Sequence, residues 1–195
     1  SGAKRSAACR ALATRSVAVA PVSGFHHAGY AAAEGFCTFN GLMVTALALR
    51  EYGAHRVGIL DLDMHYGNGT VDIIRQLKAD SWVWHYTGGQ HYTEPNQAAE
   101  FFRNLPDVLD WLAHCDVVLY QAGADPHIND PYGGWLTTEQ LRERDAMVFE
   151  AFQEQGVALA WNLAGGYQVE PDGSIPKVLE IHDNTMRECV RVYGK

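Results

Sequence analysis

Arg56-Val57-Gly58-Ile59-Leu60-Asp61-Leu62-Asp63-Met64-His65 is the stretch on which the reading of this chain turns. Its first half is an apolar run of strand length. Its second half sets Asp61, Asp63 and His65 two residues apart, and in extended chain alternate side chains point the same way, so all three can face one cavity. A buried strand leading directly into chemistry-bearing residues is the habit of parallel α/β sheets, whose ligands gather beyond the carboxyl ends of the strands. The apolar segments 17–22, 82–86, 116–121 and 157–163 repeat the strand signal. Helical patterns occupy 39–52, 70–78, 97–113, 138–155 and 175–193. Gly53 and Gly156 stand where a helix C-terminal cap belongs, and Thr137-x-x-Gln140 has the form of a capping box. Strand–helix alternation of this kind predicts a mostly parallel sheet covered by helices on both faces.

Composition agrees with one folded domain over residues 1–195. Hydrophobic residues make up 47% and charged residues 19%, and a chain of this size can bury roughly 70% of its unfolded surface. No apolar run approaches the ~20 residues that span a bilayer, so no membrane segment is expected. The first sixteen residues carry basic groups without the central apolar block of a secretory signal, which points to the cytoplasm. The net charge of −8 disfavours nucleic-acid phosphates and tolerates a cationic partner such as a lysine-rich peptide or a polyamine. Cys9, Cys37, Cys115 and Cys189 are scattered, without a CxxC pair, and read as small buried hydrophobes in a reducing compartment.

The other strand ends are as informative as the first. Gly24-Phe25-His26-His27, Ala122-Gly123-Ala124-Asp125 and Ala164-Gly165-Gly166-Tyr167 each follow a strand, on the same edge as Asp61, Asp63 and His65. Alone, DxDxH suits a solvated turn as well as a metal site. Beside a buried strand, however, carboxylates need a cation or strong donors. Asp125 can add a third ligand and leave a position open for water and substrate, the catalytic rather than structural zinc arrangement. A histidine near such a metal can move protons, and it needs an orienting partner: Asp61 suits one of the pair and Asn68 the other. The Tyr167 hydroxyl, after two glycines that permit close approach to a ligand, can donate to a developing oxyanion.

Together these segments resemble the histone deacetylase superfamily, which includes acetylpolyamine amidohydrolases and acetoin-utilisation proteins. The resemblance is carried in order by SGFHHA (23–28), EGFCTFN (34–40), DLDMHYGNGT (61–70), QAGADPHINDPYGG (121–134) and LAGGY (163–167). It implies the arginase–deacetylase α/β fold and one Zn²⁺ held by Asp63, His65 and Asp125. It makes His26 and His27 the paired histidines, with His27 the general acid/base, Asp61 behind His26, and Asn68 behind His27 as in class II-like members. Tyr167 would polarise the carbonyl. Phe36 and Tyr92 would wall the acyl channel, with Gly35, Tyr132, Gly165 and Gly166 around it. A monovalent cation such as K⁺ would lie near Asp61 and Asp63. The implied substrate is a small acylated amine or an acetyl-lysine peptide.

The chain departs from that pattern in three places. Tyr66 replaces a second histidine, Trp82-Val83-Trp84-His85 replaces a serine-containing stretch, and little sequence precedes the histidine pair. An N-terminally shortened sheet is therefore expected, with exposed pairing groups that favour a second copy or a missing N-terminal segment as partner. The rival to an amidohydrolase is a noncatalytic fragment that binds zinc and acyl groups. An arginase-like dimanganese site would need more acidic ligands than the pattern supplies. GxGxxG, GxxxxGK[ST], GxSxG and HExxH are absent, which removes the commonest nucleotide, serine-hydrolase and zincin readings.

Overall fold

The computed structural model describes residues 2–194. Its centre is a five-stranded, wholly parallel sheet: β1 (Val17–Ala20), β2 (Val57–Asp61), β3 (Val83–Thr87), β4 (Val117–Gly123) and β5 (Ala158–Ala164). The strand order is β1-β5-β4-β2-β3. All five expected strands form, each within a residue or two of the expected limits.

Six helices cover the sheet: α1 (Gly2–Thr14), α2 (Gly41–Glu51), α3 (Asn68–Gln76), α4 (Ala98–Leu112), α5 (Thr138–Glu154) and α6 (Pro176–Tyr193). Alternation along β4 explains the two layers. Val117 and Leu119 pack with α1, α2 and α3 through Ala8, Leu42, Met43 and Ile73. Val118 and Tyr120 face the other way, onto Phe101 of α4, Phe149 of α5 and Ile181 of α6. Local chemistry sets the helix ends. Asn40 caps α2 by accepting from the Met43 amide at 3.0 Å, and Thr137 and Gln140 form the reciprocal box at the start of α5. Gly53 and Gly156 follow the last helical residues with φ of +105° and +67°, a conformation that favours glycine. Among the described residues, no helix is long and apolar enough to cross a membrane.

Helix α1 was not foreseen. Alanines give it helical propensity, but its polar and apolar residues do not separate into opposite faces. It is held in part by Lys4, fully buried, whose Nζ donates to the Ala160 carbonyl at 2.7 Å.

The topology creates the functional crevice. From β2 the chain runs through α3, on one face, out to β3; from β4 it runs through α5, on the opposite face, out to β5. Beyond the paired β2 and β4, the connections therefore diverge. A divergence of this kind opens a crevice at the carboxyl ends of the two strands.

Candidate active site and metal centre

Asp63 and His65 leave the end of β2, and Asp125 leaves the end of β4, on the two sides of that crevice. His65 Nδ1 lies 3.1 Å from Asp63 Oδ1 and 2.9 Å from Asp125 Oδ2. Among the described residues this is the one group of three potential ligand side chains whose ligand atoms all lie within 4.8 Å of one another. Tetrahedral zinc with bonds of about 2.0–2.2 Å needs ligand atoms roughly 3.3–3.5 Å apart; the two separations to His65 lie a few tenths of an ångström below that, and two carboxylates with an imidazole are a donor set that suits the metal. Asp125 is fully buried, and its Oδ2 accepts no well-formed hydrogen bond. Burial and the neighbouring Asp63 charge push the Asp125 carboxyl up to about 6. Such a site is short of positive charge. Burial also works against the Asp63 carboxylate, but the His26 charge and a hydrogen bond from His65 bring it below its ordinary range.

Gly165 explains how β5 contributes. Its φ is +52°, and a Cβ there would overlap the Asp125 carboxylate. Gly166, at φ +98°, continues the turn that brings Tyr167 back toward the cleft. Tyr167 is fixed by its amide, which donates to Asp130 Oδ2 at 2.8 Å. Asp130 also accepts from the Tyr132 amide at 3.1 Å, through its other oxygen. Sequence reading missed Asp130, which stands inside the quoted NDPYGG segment without a spacing signal of its own. The Tyr167 ring stands edge-on to His65 at 6.4 Å and to Tyr132 at 4.8 Å. Burial, then the Asp63 and Asp125 charges, raise its phenol above the ordinary value, so it stays a proton donor at neutral pH.

The histidines arrive from the loop after β1. His26 Nδ1 lies 2.7 Å from Asp61 Oδ2, and His27 Nδ1 lies 2.6 Å from Asn68 Oδ1. Burial opposes the His26 charge, but Asp61 and Asp63 outweigh it and take the imidazole to about 9. His27 faces a neutral amide instead. Asn68 in turn donates to Glu34 Oε2 at 2.9 Å, a third member of the chain that sequence reading missed. Gly35, at φ +53°, has no room for a Cβ beside the His27 ring.

These parts line a cleft of about 340 Å³ bordered by His26, His27, Phe36, Asp63, Gly165 and Tyr167. Phe36 is 86% exposed, with its ring 6.3 Å from that of Tyr167. The expectation for Tyr92 is corrected. Tyr92 is buried in the apolar core against Phe101 and Trp135, and its hydroxyl accepts from Asn104 at 2.9 Å. Its position in a poorly patterned segment hid the difference between a channel aromatic and a core one.

The Asp61 carboxylate is engaged by hydrogen bonds within the protein. Asp61 Oδ1 accepts from the Asp63 amide at 3.2 Å and from Gln121 Nε2 at 3.0 Å, while Oδ2 is engaged by His26. Across Gly67 from it stands His85. His85 Nε2 is buried without a partner, and burial lowers its imidazole to about 4.

Comparison with known proteins agrees with this architecture. The histone deacetylase domain model matches residues 2–87. An uncharacterised protein of Picosynechococcus sp. is 31% identical over 166 residues, covering 74% of this chain and 54% of that protein. Acetylpolyamine amidohydrolase 2 of Pseudomonas aeruginosa is 28% identical, covering 76% of this chain and 50% of the relative. The crystal structure of an acetylpolyamine aminohydrolase from Burkholderia pseudomallei superposes with a TM-score of 0.69 at 21% identity, over 97% of this chain and 62% of that one. The HDA15 HD domain gives 0.65 at 21% identity, over 98% and 70%. The fold is thus the α/β arginase–deacetylase type. Over residues 2–87 the chain resembles the histone deacetylase domain, and over about three quarters of its length it is similar to an acetylpolyamine amidohydrolase. It spans about half the length of these two curated relatives.

Proposed function

We propose that this chain carries the site of a zinc-dependent amidohydrolase that removes an acetyl or other short acyl group from an amine, such as an acetylpolyamine or an acetyl-lysine peptide. The observation that carries the reading is the buried Asp63–His65–Asp125 cluster, open toward a cleft that His27 and Tyr167 border. Zinc bound there would polarise a carbonyl and acidify a water. The residues around it divide the remaining work. With Nδ1–H directed at Asn68, His27 keeps Nε2 free to take a proton from the attacking water. The same nitrogen then returns that proton to the leaving amine. The Tyr167 hydroxyl donates to the oxyanion as the carbonyl carbon becomes tetrahedral. The His26–Asp61 pair is the more deeply buried. His26 Nδ1 is engaged by Asp61, and the pair serves as a fixed neighbour of the ligand set rather than as the base.

The test pairs metal content with turnover. One zinc per chain, lost in Asp125→Ala, together with hydrolysis of acetylputrescine or an acetyl-lysine peptide that falls at least a hundredfold in His27→Ala and Tyr167→Phe, is the expected result. Zinc-dependent hydrolysis unchanged in both variants would refute the assignment. Retained zinc with acyl-ligand binding and no turnover would instead favour a noncatalytic binding module.

A further inference from the structure

Arg144 is the largest charged side chain fully enclosed in the protein, at 1% exposure, and it comes from α5 rather than from any strand that supplies the site. Its Nη1 donates to two carbonyls, Gly123 O at 2.8 Å and Leu62 O at 3.1 Å. The choice of carbonyls is informative. Leu62 immediately precedes Asp63, and its own amide makes a late rung of the β2–β4 ladder, to Gln121 O at 3.1 Å. Gly123 is the last residue of β4, two before Asp125. One nitrogen therefore bridges the two chains just where strand pairing stops and the ligand-bearing segments begin.

The bridge is tight on both sides. At Gly123, a Cβ would stand 2.8 Å from Leu62 O and 2.9 Å from Asp125 Oδ1. Behind the guanidinium, Nε donates to Asp145 Oδ1 at 2.9 Å, and Asp145 is itself held by the hydroxyls of Tyr120 and Thr185. Burying a guanidinium is costly unless its donors are satisfied. An ion pair with Asp145 alone would not require it to reach β2 and β4. Orientation of metal ligands by hydrogen-bonded neighbours is a recognised determinant of metal affinity.

We propose that Arg144 is a positioning residue for the metal centre, setting the separation between the Asp63–His65 arm and the Asp125 arm by clamping Leu62 O to Gly123 O. The inference rests on the zinc reading above. It predicts that loss of the clamp widens the ligand set and weakens metal binding beyond what lost stability explains.

The experiment titrates the metal-free chain with Zn²⁺ against a chromophoric chelator, and with Co²⁺ while recording its visible absorption. Arg144→Met and Arg144→Lys are compared with Phe152→Leu, a core change about two turns further along the same helix. Arg144→Met is expected to lose about 10–100-fold in affinity, with a weakened, shifted Co²⁺ spectrum, and Arg144→Lys to recover part of it. Phe152→Leu should leave both readouts unchanged while lowering the unfolding temperature. Unchanged affinity and spectrum in a folded Arg144→Met would overturn the inference and leave the zinc reading intact. No zinc binding by the parent chain would overturn both. Should Arg144→Met not fold, Arg144→Lys decides: parental affinity and absorption in that variant count against the clamp, and a reduced affinity with altered absorption supports it.

Discussion

Replacing Lys4 with Met should make the protein more stable at neutral pH and remove a pH dependence that the parent carries. Lys4 is completely buried under α1, without a carboxylate partner, and donates to Ala160 O at 2.7 Å. Burial holds its amine well below the ordinary value of 10.5. The sign follows from proton counting. Between the folded and unfolded pKa values the unfolded chain holds one proton that the native chain lacks, so stability rises with pH across that window. The slope is about 1.36 kcal/mol per pH unit. Above the unfolded value the curve is flat with the full contribution present, and the contribution falls away as pH drops through the window. Met is close in length and apolar. What it gives up is a hydrogen bond to Ala160 O at 2.7 Å and a long one to Tyr120 O at 3.5 Å, each worth about 0.5–1.5 kcal/mol, while each unit of depression in Lys4 costs about 1.36 kcal/mol at pH below the window. Denaturant unfolding of parent and Lys4→Met at matched ionic strength, from pH 6 to 10, gives the difference curve, in which groups common to both cancel. A parallel pair of curves, or a variant less stable than the parent at pH 7, would show that the ammonium is accommodated there at no cost.

Three shorter predictions concern the site. Gly165→Ala should lower zinc affinity at least tenfold while leaving the circular dichroism spectrum helical, because the new Cβ displaces Asp125 and the left-handed backbone adds about 1–2 kcal/mol of strain. Asn68→Asp puts a carboxylate 2.6 Å from His27 Nδ1 and should move the acid limb of the pH–rate profile upward by about one unit or more. An unmoved limb would mean that His27 is not the base. Zinc at about 100 times its Kd should stabilise the chain by about 2.7 kcal/mol if only the folded form binds it, and either chelation or Asp125→Asn should abolish that gain in thermal unfolding.

Much of this arrangement was legible before any coordinates. The inner strands β2, β4 and β5 were readable because they are largely apolar and buried on both sides, as a doubly covered sheet requires, and the strand ends carried polar residues that an uncommitted turn has little reason to cluster. Asp61 and Asn68 were legible as partners for the two histidines, but which serves which, across 35 and 41 residues, was implied only by the family resemblance. What was not legible depends on contacts made across the sequence. Arg144 lies in a stretch that reads as an exposed helix face, RERD, and only the packing of α5 against the strand ends turns it inward. Glu34 and Asp130 act through partners 34 and 37 residues away. Tyr92 is told from a pocket aromatic only by Phe101 and Trp135, which reach it from other elements. Helix α1 lacks a segregated apolar face, so its burial is decided by the sheet it covers.

The divergence of β2 and β4 has a consequence for how such a site can vary. The metal ligands sit within two to four residues of paired strands, where a change in length would shift the sheet register. Phe36 and Tyr132, 86% and 59% exposed, stand instead on the long connections between β1 and α2 and between β4 and α5. Insertions and exchanges in those connections can remodel the entrance without disturbing the chemistry beneath. Under the proposed function, substrate range and reaction type then fall on separate parts of the chain, and one can drift while the other stays fixed.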